Sequence, residues 1–232
     1  MNRILFLDNS IKNDLYKPRT YFEPVMLFEF DSYRASAGEL PDDLDNYSHI
    51  FISGSTASVL DNSDWIDAEQ EFIRKAVDRG KVVVGSCFGH QIIARALFGD
   101  GAVRKRPALD VGWPEIEILA DDALLGKAGS RIHCYVFHYD EVCKINTSEA
   151  TIIARSEACE ILAFKLKDRP VWGIQPHFEM GIVEGLRFLE LVKGKGVPDR
   201  QSYFKSTSES ARDSGWIIPL MKAYHNTCPL LA

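Results

Sequence analysis

The five cysteines of the chain, Cys87, Cys134, Cys143, Cys159 and Cys228, contain no Cys-x-x-Cys pair. That lack excludes a zinc ribbon, and an odd count argues against a disulfide framework, so a reducing compartment is expected. Positive charge is also short: 27 Lys and Arg stand against 33 Asp and Glu, a net charge of −6. With no basic face to offer phosphates, nucleic acid is not expected as a partner. No apolar run approaches the ~20 residues of a spanning helix. The opening run Ile4 to Leu7 is too short for a signal peptide, and Cys228 lies outside the spacing of a C-terminal prenylation box. No membrane association is expected, and the location is read as cytoplasmic. Gly-x-Gly-x-x-Gly is absent, and Gly126-Lys127 lacks the upstream glycine of a phosphate loop. No cofactor is expected.

What the chain does have is the composition of a globular protein, 46% hydrophobic and 26% charged over 232 residues, enough to bury a core. Short β-branched runs alternate with helical patterns. Strands are predicted at Arg3–Asp8, Met26–Phe30, His49–Ser53 and Lys81–Gly85. The stretch Asn9–Lys17 reads as loop. Trp65–Arg79 carries apolar residues at helical spacing, with Asp64 placed to cap it and Gly80 to stop it. Gln91–Leu97 is a second helix. After Gly101 shorter strands dominate: Val103–Lys105, Glu115–Leu119, Ile132–Phe137, Thr151–Ala154, Ile161–Lys167 and Val171–Gln175. Helices are predicted at Gly181–Lys193, Asp199–Ala211 and Trp216–His225. The rhythm is that of a doubly wound α/β fold with some antiparallel strands in its second half. One domain over residues 1–232 is expected, with 194–232 a C-terminal helical extension.

The most informative stretch is Gly85-Ser86-Cys87-Phe88-Gly89, entered from the apolar strand Val82-Val83-Val84 and left by a helix. This is a nucleophile elbow carrying sulfur. The glycines allow a tight strand-to-helix turn, and the helix aims its free N–H groups at the sulfur, which favours a thiolate. The N–H of Phe88 is then placed to hold an oxyanion. A thiolate needs a basic partner, and that partner an orienting group. Gln175-Pro176-His177-Phe178-Glu179 offers both: in extended chain, residues two apart face one side, so Glu179 can hold one nitrogen of His177 while the other faces Cys87.

Gly85-Ser-Cys87-Phe-Gly89-His-Gln91 resembles the Gly-x-Cys-x-Gly-x-Gln signature of class I, triad-type glutamine amidotransferases, and Gly173-Ile-Gln175-Pro-His177-Phe-Glu179 resembles their Gly-x-Gln-x-His-x-Glu signature. Among these, the chain is similar to the glutaminase domain of GMP synthase. Ser53-Gly54-Ser55-Thr56 is similar to the loop that supplies the second oxyanion N–H, from Ser55 or Gly54, although many members have Gly-Gly-Pro there. Phe137-His138-Tyr139-Asp140 is similar to a strand end lining the glutamine pocket. The resemblance implies a flavodoxin-like open sheet, mainly parallel with some antiparallel strands, helices on both faces, and a site at the strand C-termini. It implies a catalytic set Cys87, His177 and Glu179, an oxyanion hole of Phe88 with Ser55 or Gly54, and substrate contacts from Gln91, His138, Tyr139 and Asp140. The implied reaction is hydrolysis of the glutamine side-chain amide through a γ-glutamyl thioester, with ammonia released to a separate synthetase subunit. Self-sufficient hydrolysis of γ-glutamyl peptides, and a non-catalytic regulatory module, are the alternatives. The segment Asp199–Ala232 is left with two roles, covering the pocket or forming a homodimer contact.

Other features are read as structural. His133, Cys134, His138 and Cys143 form a small His/Cys group, but a strand alternates faces and so His133 and Cys134 diverge, and no metal site is expected. Arg104-Lys105-Arg106 reads as a solvated strand end, with a phosphate or carboxylate contact as the lesser alternative.

Overall fold

The short β-branched runs sort into strands lying side by side in a computed structural model that describes residues 3–12, 15–193 and 211–230. One half of the sheet is parallel, with β2 (Phe30–Tyr33), β1 (Ile4–Leu7), β3 (His49–Ile52), β4 (Val82–Ser86) and β11 (Val171–Ile174) adjacent in that order. Strand order 2-1-3-4-5 is the flavodoxin-like order. The sheet continues antiparallel through β10 (Ala163–Leu166), β9 (Ala150–Arg155), β6 (Glu115–Ile118) and β7 (Arg131–His133) to nine strands. A separate antiparallel ribbon pairs β5 (Val103–Gly112) with β8 (Val136–Val142). Every residue of β1, β3, β4 and β11 is buried, as strands covered on both faces must be.

Helices α2 (Asp64–Asp78) and α3 (Phe88–Phe98) cover one face, where Ile66, Phe72, Ile73, Ile92 and Ile93 pack with Leu5, Ile50 and Val83. The opposite face carries α1 (Pro18–Phe22) and α5 (Ile217–Asn226); Phe22, Leu220, Met221 and Tyr224 meet Phe6, Phe51 and Trp172 there. Each fully buried Leu, Ile or Phe is worth about 1.5–3 kcal/mol of transfer free energy, offset by the entropy of ordering it. Helix α4 (Ile182–Val192) belongs to a third apolar cluster with Tyr16, Trp113, Tyr135 and Met180. No helix among the described residues is long and apolar enough to cross a membrane.

Several expected boundaries move. The second strand lies at Phe30–Tyr33 rather than Met26–Phe30, because pairing with β1 begins at Phe30 opposite Ile4, while Met26 and Phe28 pack against the α5 face. Asp64 opens α2 instead of capping it: Ser63 is the residue outside, and Asp64 and Asp67 sit in the first turn, where the helix dipole favours them. Gly80 does stop the helix, at φ +67°. Pro18 starts a helix, α1, that the sequence reading did not include, a position that suits its missing N–H. The run Ile132–Phe137 is split between β7 and β8, since the chain leaves the sheet edge at Cys134-Tyr135 to join the ribbon. Residues 199–210 of the expected helix Asp199–Ala211 lie outside the described residues.

Candidate active site

The elbow forms because two glycines let three elements touch. Cys87 follows β4 with φ +51° and ψ −106°, and it is the one non-glycine residue at positive φ among those described. Such a conformation costs a β-carbon-bearing residue of order 1–3 kcal/mol and persists only where its surroundings enforce it. Here Cys87 N–H donates to Ile174 O (2.9 Å) on β11, and its carbonyl accepts from Gln91 N–H (3.1 Å) to begin α3. A β-carbon on Gly85 would stand 2.4 Å from Gly89 O, and one on Gly89 would stand 2.2 Å from Ile52 O on β3. The two glycines are therefore spacers between β4, α3 and β3. Phe88 lies in the first turn of α3, where an N–H has no partner within the helix.

His177 reaches the same place from β11. Its N–H donates to Tyr135 O (2.8 Å), which ties the end of β11 to the β7–β8 crossing. His177 Nδ1 meets Glu179 Oε1 at 2.7 Å, and the ring lies close enough to Cys87 for the thiol to act on its charge, while Cys87 Sγ itself contacts Phe137 O at 4.0 Å. Glu179 meets His177 not in the extended chain expected, but across a turn after β11, where Met180 N–H donates to His177 O (3.1 Å) and the carboxylate is brought back to the ring. Burial alone would disfavour the imidazolium, but Cys87 and Glu179 outweigh it and lift the His177 pKa to about 10. Phe178, between them, points into the apolar layer on the far face, with Phe22 and Leu220.

Tyr16 is the residue that sequence reasoning missed. It comes from the stretch read as loop, is 3% exposed, and donates its O–H to Glu179 Oε1, the same oxygen that faces His177. Its ring also lies edge-on to the imidazole, centroids 5.3 Å apart. No local pattern carries this, because the two partners are 163 residues apart.

The loop after β3 is held from below. Asn9 N–H donates to Ser53 Oγ (2.9 Å), Ser53 Oγ–H donates to Gly54 O (3.0 Å), and Asn9 Nδ2 donates to Glu69 Oε1 (3.0 Å) on α2. Burial pushes the Glu69 carboxyl up to about 8, against the Asn9 hydrogen bond. The loop then passes beside the sulfur: a β-carbon on Gly54 would lie 3.2 Å from His177 Cε1 and 3.4 Å from Cys87 Cβ.

These side chains open on a cavity of about 460 Å³. Ser55, Cys87, Gln91, His138, Tyr139, Asp140 and His177 all line it, so the residues singled out from separate motifs are brought to one place. Gln91 Nε2 donates to Asp140 O (2.8 Å) and to Gln175 Oε1 (3.0 Å). His138 Nδ1 contacts Asp140 O at 2.8 Å, and its Nε2 stands 3.2 Å from Asp110 Oδ2. Ser58 Oγ–H donates to Asp140 Oδ2. The lining also includes the apolar side chains of Leu15, Phe137, Met180, Phe188 and Val192. Arg104 and Lys105 are exposed at the start of β5, as a solvated strand end should be, and Lys105 also lines the cavity, while Arg104 and Arg106 line an outer cleft with Glu141. The His/Cys group does not converge: Cys134 is buried in the far-face core, Cys143 Sγ contacts Ala102 O at 3.5 Å, and His138 faces Asp110.

The family profile of glutamine amidotransferase class-I matches residues 9–187, which span both the elbow and the histidine turn. The chain belongs to the class-I glutamine amidotransferase family. Within the family it is 34% identical over 146 residues to gamma-glutamyl peptidase 4 of Arabidopsis thaliana, covering 60% of this chain and 58% of that protein. It is 39% identical over 98 residues to a glutamine-hydrolyzing GMP synthase subunit of Methanothermobacter thermautotrophicus, covering 42% of this chain and 51% of that protein. The chain thus spans about half to three fifths of these relatives' length. A glutamine amidotransferase from Thermotoga maritima shares the fold, with TM-score 0.75 over 97% of this chain and 99% of that one at 18% identity.

Proposed function

We propose that this class-I glutamine amidotransferase family member hydrolyses the side-chain amide of glutamine through Cys87, His177 and Glu179. The observation that carries the reading is that Cys87 and His177 stand together beside Gly54, with Glu179 on the far side of the ring, at a cavity large enough for an amino acid. The raised His177 pKa supports an imidazolium at neutral pH, the form that pairs with a thiolate. The thiolate attacks the amide carbon, and the resulting oxyanion is held by the N–H of Phe88 with that of Ser55 or Gly54. His177 gives its proton to the leaving nitrogen, and ammonia departs as the C–N bond breaks to leave a thioester. His177 then takes a proton from water, hydroxide adds to the thioester, and the C–S bond breaks to give glutamate and regenerate the thiolate–imidazolium pair. Glu179 keeps the ring oriented. Ammonia passes to a separate acceptor enzyme.

A second reading has a specific observation behind it. Leu15, Phe137, Phe188 and Val192 give the cavity apolar contact area that a leaving ammonia would not use and that the amine half of a γ-glutamyl peptide could fill. One assay separates the two. The purified chain is incubated with glutamine and with γ-glutamyl peptides, and ammonia, free amine and glutamate are measured. Glutamine turnover rising with an added synthetase supports the first reading; unaided peptide turnover supports the second. In either case Cys87→Ala is expected to lose turnover by on the order of a thousandfold with its melting curve retained. A Cys87→Ala variant as fast as wild type ends both.

A further inference from the structure

One side chain fastens the end of β1 to the loop after β3. Asn9 N–H donates to Ser53 Oγ (2.9 Å), and Asn9 Nδ2 places its two hydrogens on Ser53 O (3.4 Å) and Glu69 Oε1 (3.0 Å). With both hydrogens used, the direction of the amide is fixed. Both residues are fully buried. The amide oxygen, Asn9 Oδ1, has no hydrogen-bond partner, and neither has the second carboxyl oxygen, Glu69 Oε2. Two acceptors without a donor are thus left in one dry place, where an unmade hydrogen bond is costly.

A single proton satisfies both atoms. A carboxylic acid and a primary amide are complementary forks, each with one hydrogen to give and one oxygen to receive, and they close into a ring of two hydrogen bonds. A carboxylate has no hydrogen to give, and no cation compensates for its charge here. Among the described residues, α3, β4 and the turn Ala35–Ala37 pack on α2, yet burial and Asn9 are what move the Glu69 titration. Asp67, on the same helix, bonds Gln70 instead. An ionised Glu69 would set an anion against the Asn9 oxygen, and an amide that turned away would release Ser53. Ser53 leads directly into Gly54, which lies against both Cys87 and His177.

We infer that Glu69 is a neutral acid and a positioning residue: Glu69 Oε2–H donates to Asn9 Oδ1 while Asn9 Nδ2–H donates to Glu69 Oε1, and the closed pair sets Gly54-Ser55 beside Cys87. The inference rests on the proposed hydrolysis only for what the loop does in turnover; the shared proton is a property of the folded chain.

The test compares wild type with Glu69→Gln, which rebuilds the ring with an amide hydrogen at every pH, and with Glu69→Met, which removes it. Infrared difference spectra between wild type and Glu69→Gln at pH 6 should show the carbonyl band of one protonated carboxyl, lost as pH rises through about 8. Should either variant fold poorly, the other supplies the difference spectrum. In glutamine turnover, wild-type kcat should fall over the same range by about tenfold to a lower plateau, with KM held, before the limb set by His177. A misplaced oxyanion donor costs less than the ~100-fold of a missing one. Glu69→Gln should lack this first step, and Glu69→Met should sit near the lower plateau from pH 6 upward. Hydrogen exchange at residues 53–57 gives a readout without turnover: protection should drop between pH 6 and pH 9 in wild type and hold in Glu69→Gln. No protonated-carboxyl band at pH 6, or a loss of protection shared by wild type and Glu69→Gln, overturns the inference. The expected band and exchange pattern without turnover of glutamine or γ-glutamyl peptides sinks the hydrolase reading and leaves the pair standing. Turnover with one pH profile common to wild type and Glu69→Gln sinks the positioning role alone.

Discussion

Tyr16 and His177 compete for one oxygen. Both point a hydrogen at Glu179 Oε1, and charge drawn toward the phenol is charge withdrawn from the imidazolium. Tyr16→Phe leaves Glu179 to His177 alone, so the histidine is expected to titrate at higher pH. Its pKa already stands above that of free histidine, so stabilisation from the ion pair is full below about pH 6.5 and disappears as pH rises through about 10. In Tyr16→Phe the alkaline limb of the pH–rate profile should move further up, kcat should fall by about tenfold, and KM should hold. A limb that stays in place while kcat falls would make Tyr16 a packing residue only. At this scale the sequence was legible where chemistry is local. Cys87 stands out through Gly85 and Gly89, which are within two residues of it, whereas Tyr16 and Lys105 find their partners across the fold.

The loop after β3 is held by residues of other elements. Glu69 of α2 is fully buried and anchors Asn9, which anchors Ser53 and so the start of the loop. With the folded-state pKa raised to about 8, the neutral acid suits this position, and the cost of burying charge sets in as pH climbs from the ordinary carboxylate range through about 8. Glu69→Gln keeps an acceptor for Asn9 and cannot ionise. It is expected to match wild type in urea unfolding near pH 5 and to exceed it by on the order of a few kcal/mol at pH 9. Equal stability of the two proteins at pH 9 would mean that Glu69 finds a counter-charge or water when ionised. The elbow and α2 were readable because each announces itself within one turn or one heptad. The strand at Phe30–Tyr33 was not: the apolar stretch before it is spent on packing against α5, and only the ladder to β1 fixes where pairing begins.

The whole molecule separates its labour by face. The cavity and α4 lie at the ends of β4 and β11, while α5 closes the layer on one side of the sheet. Leu220, 2% exposed, packs there with Phe178 and Met221. Leu220→Ala is expected to cost about 2–5 kcal/mol and lower Tm, yet leave glutamine turnover per folded molecule near wild type below the transition. Turnover that collapses before unfolding would show that α5 supports the histidine turn through Phe178. The fold class was legible from alternation and length; the ribbon was not, because Val103–Lys105 and the run through Phe137 look like ordinary sheet strands until their long-range partners are known.

That ribbon has two chambers, one on each side, and a side chain's address depends on whether its position is odd or even. Substitution in β5 therefore adjusts one chamber at a time. Loss or gain of a single residue ahead of Lys105 would exchange the occupants wholesale, turning an arginine inward and the lysine out, whereas a change of two would return each to its side. Length in this stretch therefore decides which side chains of β5 face the cavity that holds Cys87.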